Sequence, residues 1–285
     1  MMLITGATGL SGSHIVNELA RQGIRFRALV RDQRKAAALQ FENVHIVEGD
    51  MLKPESLAPA LDGVEKALLI STGDANLLDA QCSFIDACKS AGVRHVVKFS
   101  GDETGFDRSK FRFTHMHQQI EQYLERSGLA WTHLLPCQFM QVYLREADTV
   151  KQKGELRLPA EDISLAPIDI ADIAKIAAAV MQAPRQEGKI HRMTGPEVLT
   201  MFQIAELMSA VVGRKVNYVP ISPEQRRKDL LASGASPYFS DALYEQAMER
   251  LQNPHAVVHL ESHREFSIEP TSFSNFLRRN SSFFR

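Results

Sequence analysis

Short apolar runs alternate with amphipathic stretches through the first half of the chain. Six of these runs read as strands: Met2–Thr5, Phe26–Val30, Val44–Val47, Ala67–Ile70, His95–Phe99 and Ala130–Leu135. Most are unbroken rather than alternating, as expected of strands covered on both faces. Between the first two, Ile15, Val16, Leu19 and Ala20 form the apolar stripe of a helix that Gly23 closes. Pro54 opens a helix near Glu55–Leu61, and Asp62-Gly63 ends it. Strand and helix taking turns at this spacing predict an α/β, Rossmann-type doubly wound parallel sheet with right-handed crossovers.

Past about residue 145 the rhythm changes. Asp169 precedes a helical stripe of Ile173, Ile176, Ala177 and Val180, and Asp172 follows it at the capping-box distance. That spacing favours helix capping over a metal or acid–base role for the two aspartates. A strand at Lys189–Thr194, a helix at Thr200–Val212, a strand at Val216–Val219 and a helical pattern over Pro223–Leu251 complete the chain. The expected organisation is a nucleotide-binding domain over residues 1–150, its sheet completed by 165–196, and a smaller α/β substrate-side subdomain over 151–285.

Composition narrows the function classes. With 285 residues, 44% of them hydrophobic, the chain can bury a large core. Its 33 basic and 34 acidic residues give no long-range attraction to nucleic acid or to an anionic membrane. The basic run Gln225-Arg-Arg-Lys228 is followed at once by Asp229 and reads as a solvated helix face. Three cysteines without a C-x-x-C pair fit neither a disulfide framework nor a metal site, and point to a reducing compartment. No stretch reaches the ~18 apolar residues of a membrane span, and no signal segment opens the chain. A soluble cytoplasmic protein is expected, as a monomer or homodimer.

The candidate chemistry begins at Gly6-Ala7-Thr8-Gly9-Leu10-Ser11-Gly12, between the first strand and the first helix. A tight turn, a close backbone approach to pyrophosphate and close helix–strand packing each need the absence of a Cβ. The pyrophosphate of a nicotinamide dinucleotide would then rest on the free N–H groups of the helix start. An acidic residue ending the second strand would select NAD; here Arg31 stands there, which suits the 2′-phosphate of NADP. Arg34 and Lys35 add positive charge, whereas Asp32 would favour NAD if it turned inward. In Glu48-Gly-Asp50-Met51, Asp50 and Met51 border the adenine, although Asp50 also reads as a turn carboxylate before Pro54. Ser71, Thr72, Ser100 and Gly101 follow the fourth and fifth strands, where parallel sheets bind ligands, and so border the nicotinamide half.

Together with Val30-Arg31, Gly49-Asp50, Leu135-Pro136, Phe139-Met140 and Gly195-Pro-Glu-Val-Leu-Thr200, the glycine turn resembles the NmrA-like branch of the atypical short-chain dehydrogenase/reductases. That family includes NADPH-dependent quinone oxidoreductases, triphenylmethane dye reductases, isoflavone and phenylcoumaran ether reductases, ergot-alkaloid dehydrogenases, and regulators that bind dinucleotide without turnover. The resemblance implies NADP(H) as cofactor and Pro136 beside it. No tyrosine here is followed four residues later by lysine, so the usual proton-donating pair is missing. His117 falls where the ether reductases carry their catalytic lysine, Phe113 where the tyrosine would be, and His115-x-His117 is similar to the quinone and dye reductases.

His117 is the candidate catalytic residue, a hydrogen-bond or proton donor near neutral pH, or else a structural histidine on a half-buried helix. His115 and His117 lie on different helix faces and make no zinc pair. His255, His259 and His263 would share one face of a helix, but Pro254 and Val257-Val258 argue against that helix, and no metal is expected. The resemblance implies an NAD(P)H-dependent reductase acting on a flat apolar acceptor, a quinone or dye, with Phe139 and Tyr143 as substrate contacts. Phe106, Met140, Tyr238 and Phe239 are further candidate ring contacts. The alternative is a non-catalytic NADP(H)-binding sensor acting through a protein partner. A nucleotide-sugar epimerase would need the missing tyrosine.

Overall fold

The computed structural model describes residues 1–101, 111–254 and 256–285, without the side chains of Lys35 and Ala38. Phe106, His255 and the Lys35 side chain, named above as candidates, lie outside the described residues. In chain order β1 (Met2–Ile4) runs through the glycine turn into α1 (Leu10–Arg21), followed by β2 (Phe26–Val30) and β3 (Val44–Glu48). Then come α2 (Ala58–Leu61), β4 (Lys66–Leu69), α3 (Leu77–Ser90), β5 (His95–Phe99), α4 (Arg112–Arg126) and β6 (Ala130–Pro136). The second half holds α5 (Ala147–Lys153), β7 (Glu155–Leu158), β8 (Ser164–Leu165), α6 (Ile170–Gln182), β9 (Lys189–Met193) and β10 (Leu199–Thr200). The last elements are α7 (Met201–Val212), β11 (Asn217–Pro220), α8 (Pro223–Ala232), α9 (Pro237–Gln252), α10 (Glu261–Glu265) and α11 (Phe273–Arg279).

Each of the six apolar runs lies within one residue of the strand it predicts. The sheet has seven strands in the order β3-β2-β1-β4-β5-β6-β9, and the pairings from β3 through β6 are parallel. The chain leaves β1 toward β2 and β3, then returns to β4 on the other side. That reversal makes a crevice at the carboxyl ends of β1 and β4, where doubly wound sheets bind ligands. Ile15, Val16 and Leu19 of α1 are fully buried. Each contributes roughly 1.5–3 kcal/mol by leaving water.

Two compact units divide the chain. The first comprises Met1–Gly101, Met116–Leu135 and Ile173–His191; the second comprises Asp102–His115, Pro136–Asp172 and Arg192–Arg285. The first therefore gathers α6 and most of β9 from beyond residue 150. The second has its own core, in which Tyr143, Met201, Ile204, Met208, Phe273, Phe276, Leu277 and Phe284 are fully buried.

Several local expectations change. The helix near Glu55–Leu61 divides into a 3-10 turn at Pro54–Ser56 and the four residues of α2. The pattern over Pro223–Leu251 is two helices, because Gly234 adopts φ +88° and Ser236 with Pro237 starts a new one. Asp169 does cap α6: its Oδ1 accepts from the Ala171 N–H at 3.0 Å. Asp172 accepts instead from both the N–H (2.6 Å) and Oγ1 (2.9 Å) of Thr271. The basic run on α8 is not simply a solvated face. Arg226 pairs at 2.6 Å with Glu146, whose side chain is 4% exposed, and Arg227 pairs at 2.5 Å with Asp241. Burial raises the Glu146 pKa, and the Arg226 charge opposes that rise.

Candidate functional site

The glycine turn is set by contacts that leave no room for a side chain. Gly6 adopts φ +59°, and a Cβ there would meet the Ile70 carbonyl oxygen at 2.8 Å. A Cβ on Gly12 would lie 2.1 Å from the Gly6 oxygen, so α1 can approach β1 this closely only with glycine. Thr5 buttresses the turn: its hydroxyl accepts from the Ile70 N–H at 2.7 Å and donates to the Ile70 carbonyl at 2.7 Å, with the Leu68 carbonyl a longer contact at 3.2 Å. The Gly9 N–H donates to the Gly6 carbonyl at 2.9 Å, and the Ser13 N–H to that of Gly9. Ala7 is buried within the turn, whereas Thr8, Gly9 and Leu10 are exposed. Gly9 caps α1 without a side chain to satisfy its first N–H groups. Those donors at Leu10, Ser11 and Gly12 lack intrahelical partners and form the positive end of the helix dipole. A pyrophosphate fits such a cradle.

Around this turn the other strand ends gather within the first unit. Arg31 is exposed at the end of β2. The Asp32 carboxylate is engaged by Arg34, which donates to it through Nε and Nη2 at 2.9 Å each, and it also caps the following 3-10 helix. Asp32 is thus turned toward Arg34, and the extra positive charge expected of Arg34 is compensated. Past β3, Asp50 Oδ1 accepts from the Leu52 N–H at 3.0 Å, the turn role that was its alternative reading, while Met51 is half-buried. Past β4, Ser71 accepts a hydrogen bond from Gln81 at 2.9 Å and Thr72 is exposed.

At the end of β5 the structure brings together a group of which the sequence pattern marks only half. Lys98 is fully buried, and its Nζ donates to His117 Nδ1 at 2.9 Å and to Ser100 Oγ at 3.2 Å. Ser100 in turn donates to Glu121 Oε1. Gly101 leaves space beside the imidazole, since a Cβ there would lie 3.8 Å from His117 Cδ2. Burial drives the Lys98 pKa down to about 7, with Glu121 opposing. The expectation that His117 titrates near neutrality does not hold. Burial, reinforced by the Lys98 charge, keeps it well below its ordinary value, so it is neutral at pH 7. With Nδ1 accepting from an ammonium, its proton sits on Nε2. His115, two residues earlier, is exposed.

Lys98 escapes the sequence pattern because it interrupts an apolar run, His95-Val-Val-Lys-Phe99, at a single position. The available signal is a lysine in a strand expected to be covered on both faces.

In the second unit Pro136 is buried and Phe139 half-buried. Tyr143 is a core side chain rather than an acceptor contact. It is fully buried, edge-on to Phe273 at 5.1 Å, and bonded by Gln138 at 3.2 Å. Met140 is fully buried as well. Phe111, Phe113 and Tyr238 form an aromatic group, with Phe111–Phe113 centroids 5.5 Å apart and Phe113–Tyr238 centroids 6.1 Å apart. Arg112 lies over Tyr238 and is held in two-pronged contact by Glu245, its Nη2 at 2.5 Å from Oε1. Phe239 lies under Arg145 at 5.8 Å. His259 approaches Glu261 at 3.7 Å, and His263 is buried in the five-residue α10. Among the described residues no three His, Cys, Asp or Glu side chains gather as a metal site.

Fold and site define a dinucleotide-binding protein of the doubly wound class. The chain belongs to the NmrA-like family, whose model matches residues 1–277. It is 34% identical to an NAD(P)H azoreductase of Xenophilus azovorans, over 86% of this chain and 85% of that one. The structure of an NADPH-dependent quinone oxidoreductase from Escherichia coli, complexed with NADPH, superposes with a TM-score of 0.89 at 26% identity, covering 99% of this chain and 100% of that one. A Citrobacter sp. triphenylmethane reductase complexed with NADP(H) shares the fold, with a TM-score of 0.86 at 22% identity over 98% and 99% of the two chains.

Proposed function

We propose that this chain is an NAD(P)H-dependent oxidoreductase that transfers hydride to a flat aromatic acceptor, a quinone or a dye. The observation that carries the reading is the turn that admits no side chain at Gly6 or Gly12, on a helix without a side-chain cap, in a chain similar to an NAD(P)H azoreductase and a quinone oxidoreductase. NADP(H) supplies the hydride when bound. Gly6 to Gly12 hold its pyrophosphate, and Arg31, the exposed cation at the end of β2, receives the 2′-phosphate. Asp50, Met51, Ser71, Thr72, Ser100, Gly101 and Pro136 border the rest of it.

Reducing a quinone to a hydroquinone consumes one hydride and one proton beyond it. His117 Nε2–H is the donor we assign to that proton, taking the place of the tyrosine that the usual pair provides. Phe139 and the ring group of Phe113 and Tyr238 are the surfaces suited to a planar acceptor.

Steady NADPH consumption against a panel of quinones and azo and triphenylmethane dyes tests the reading; tight binding with no turnover on any acceptor would leave a dinucleotide sensor instead. Replacing His117 by Ala is expected to leave NADPH binding intact and to slow turnover about 100-fold, the lower range for a lost general acid. Arg31→Ala is expected to weaken NADPH about tenfold or more and NADH little, since a charged hydrogen bond contributes roughly 1.5–3 kcal/mol. Equal losses for the two dinucleotides in calorimetric titration would remove Arg31 from the preference.

A further inference from the structure

We infer that Lys98 is the proton reservoir of His117, so that the two side chains with Ser100 and Glu121 form a relay delivering one proton to the reduced acceptor. The inference rests on the reductase reading above, adds Lys98 and Glu121 to it and gives Ser100 a second role. Its basis is geometric. The Lys98 ammonium has no access to water, and it donates to the imidazole Nδ1 at 2.9 Å and the Ser100 hydroxyl at 3.2 Å, with the Phe99 carbonyl a longer third contact at 3.4 Å. The hydroxyl continues to Glu121, which is half-buried and so reaches toward solvent. A lysine placed in a strand interior at the cost of desolvation, and bonded to the histidine positioned beside Gly101, has a chemical use.

As the acceptor oxygen gains negative charge from hydride transfer, it takes the proton on His117 Nε2, breaking that N–H bond and forming an O–H bond. Simultaneously Lys98 Nζ gives a proton to Nδ1, so the imidazole ends neutral in its other tautomer and the lysine ends as an amine. After the product leaves, Nδ1 returns its proton to the Lys98 amine while Nε2 takes one proton from water in the vacated acceptor site, so the ammonium and the first tautomer are restored together, with Ser100 and the Glu121 carboxylate holding the ammonium in line. No imidazolium forms, which suits a histidine held neutral by burial.

The groups around Lys98 come from three elements. Glu121 and His117 approach from α4, Cys82 from α3, and His133, itself paired with Glu125 at 3.0 Å, from β6. Glu121 stabilises the ammonium, and burial opposes it. Loss of the Lys98 proton near pH 7 therefore sets the alkaline limit of proton delivery.

Nitrogen NMR of the full chain labelled at histidine, without cofactor, reads the pair directly between about pH 5.5 and 9. In the parent protein His117 should keep its proton on Nε2 throughout, and its Nδ1 shift should step near pH 7 as Lys98 deprotonates. Lys98→Met should abolish that step, and Glu121→Gln should move it to lower pH. A step that survives Lys98→Met, an unmoved step in Glu121→Gln, or an imidazolium in the parent protein would overturn the pair. For its use in turnover, Lys98→Met should lower kcat about tenfold or more with KM little changed, and remove the fall in kcat above neutrality. An unaltered pH profile would overturn the relay even where the pair is seen. Absence of turnover in the parent protein would sink the reductase reading alone, leaving the NMR outcome to stand.

Discussion

Lys98, inferred above to feed the proton relay, also bears on stability. In the unfolded chain its amine keeps a proton up to its ordinary pKa of 10.5, while in the folded protein it releases it at about 7. Below pH 7 both states carry the charge and the fold bears the full desolvation cost. Between 7 and 10.5 only the unfolded chain binds the proton, so stability falls with acidity and rises with pH across that window. Each tenfold loss of proton affinity corresponds to about 1.4 kcal/mol, so Lys98→Met is expected to stabilise the protein by a few kcal/mol below pH 7. That gain should shrink toward pH 10. Denaturant melts at pH 6 and pH 9.5 check this; a gain equal at both would place the lysine's cost elsewhere. At this scale the sequence is legible where a residue's role follows from its neighbours in the chain. Gly6, Gly9 and Gly12 announce a turn because only backbone geometry is at stake. Tyr143 cannot be assigned to core or cleft from its position, because that depends on Phe273 and Met201, more than 50 residues away. Asp32 depends on a guanidinium two residues off that could equally have pointed into solvent.

The elements are legible in proportion to their burial. Parallel strands covered on both faces write themselves as apolar runs, so β1 to β6 are bounded to within a residue. The short β7, β8 and β10 are half polar and carry no such signal; β7 pairs with β11, and β8 with β10, across long separations. Helix breaks are set by single residues such as Gly234 within an otherwise continuous pattern. Capping is more readable. Thr200 accepts from the Gln203 N–H at 3.2 Å, while Gln203 Oε1 accepts from the Thr200 N–H at 2.9 Å, a reciprocal box at the start of α7. Thr200→Ala should cost about 1 kcal/mol, seen as a lower denaturation midpoint with an unchanged slope. A neutral outcome would mean that packing of Met201 and Ile204 alone holds the helix start.

For the molecule as a whole, strand order is the part composition cannot supply. Alternating strands and helices predict a doubly wound sheet, yet which strand adjoins β6 is decided by a segment beyond residue 180 that returns as β9. The second unit is likewise closed by its last residues: Phe273, Phe276, Leu277 and Phe284 are all fully buried in its core. Ending the chain at residue 272 is expected to unfold this unit, since each lost Phe or Leu side chain alone is worth roughly 2–5 kcal/mol. Amide exchange should show α7, against which α11 packs, unprotected; retained protection would mean the core closes without its tail. No helix among the described residues is long and apolar enough to cross a membrane. Arg31 has a different standing from all these groups. It is exposed, it ends a strand without entering the core, and its acidic neighbour is already engaged by Arg34. Exchanging it would leave the architecture untouched. On the role proposed for Arg31, a lineage, or an engineer, could move this scaffold from one cellular pool of reducing equivalents to the other through a single surface position, without asking the fold to be solved again.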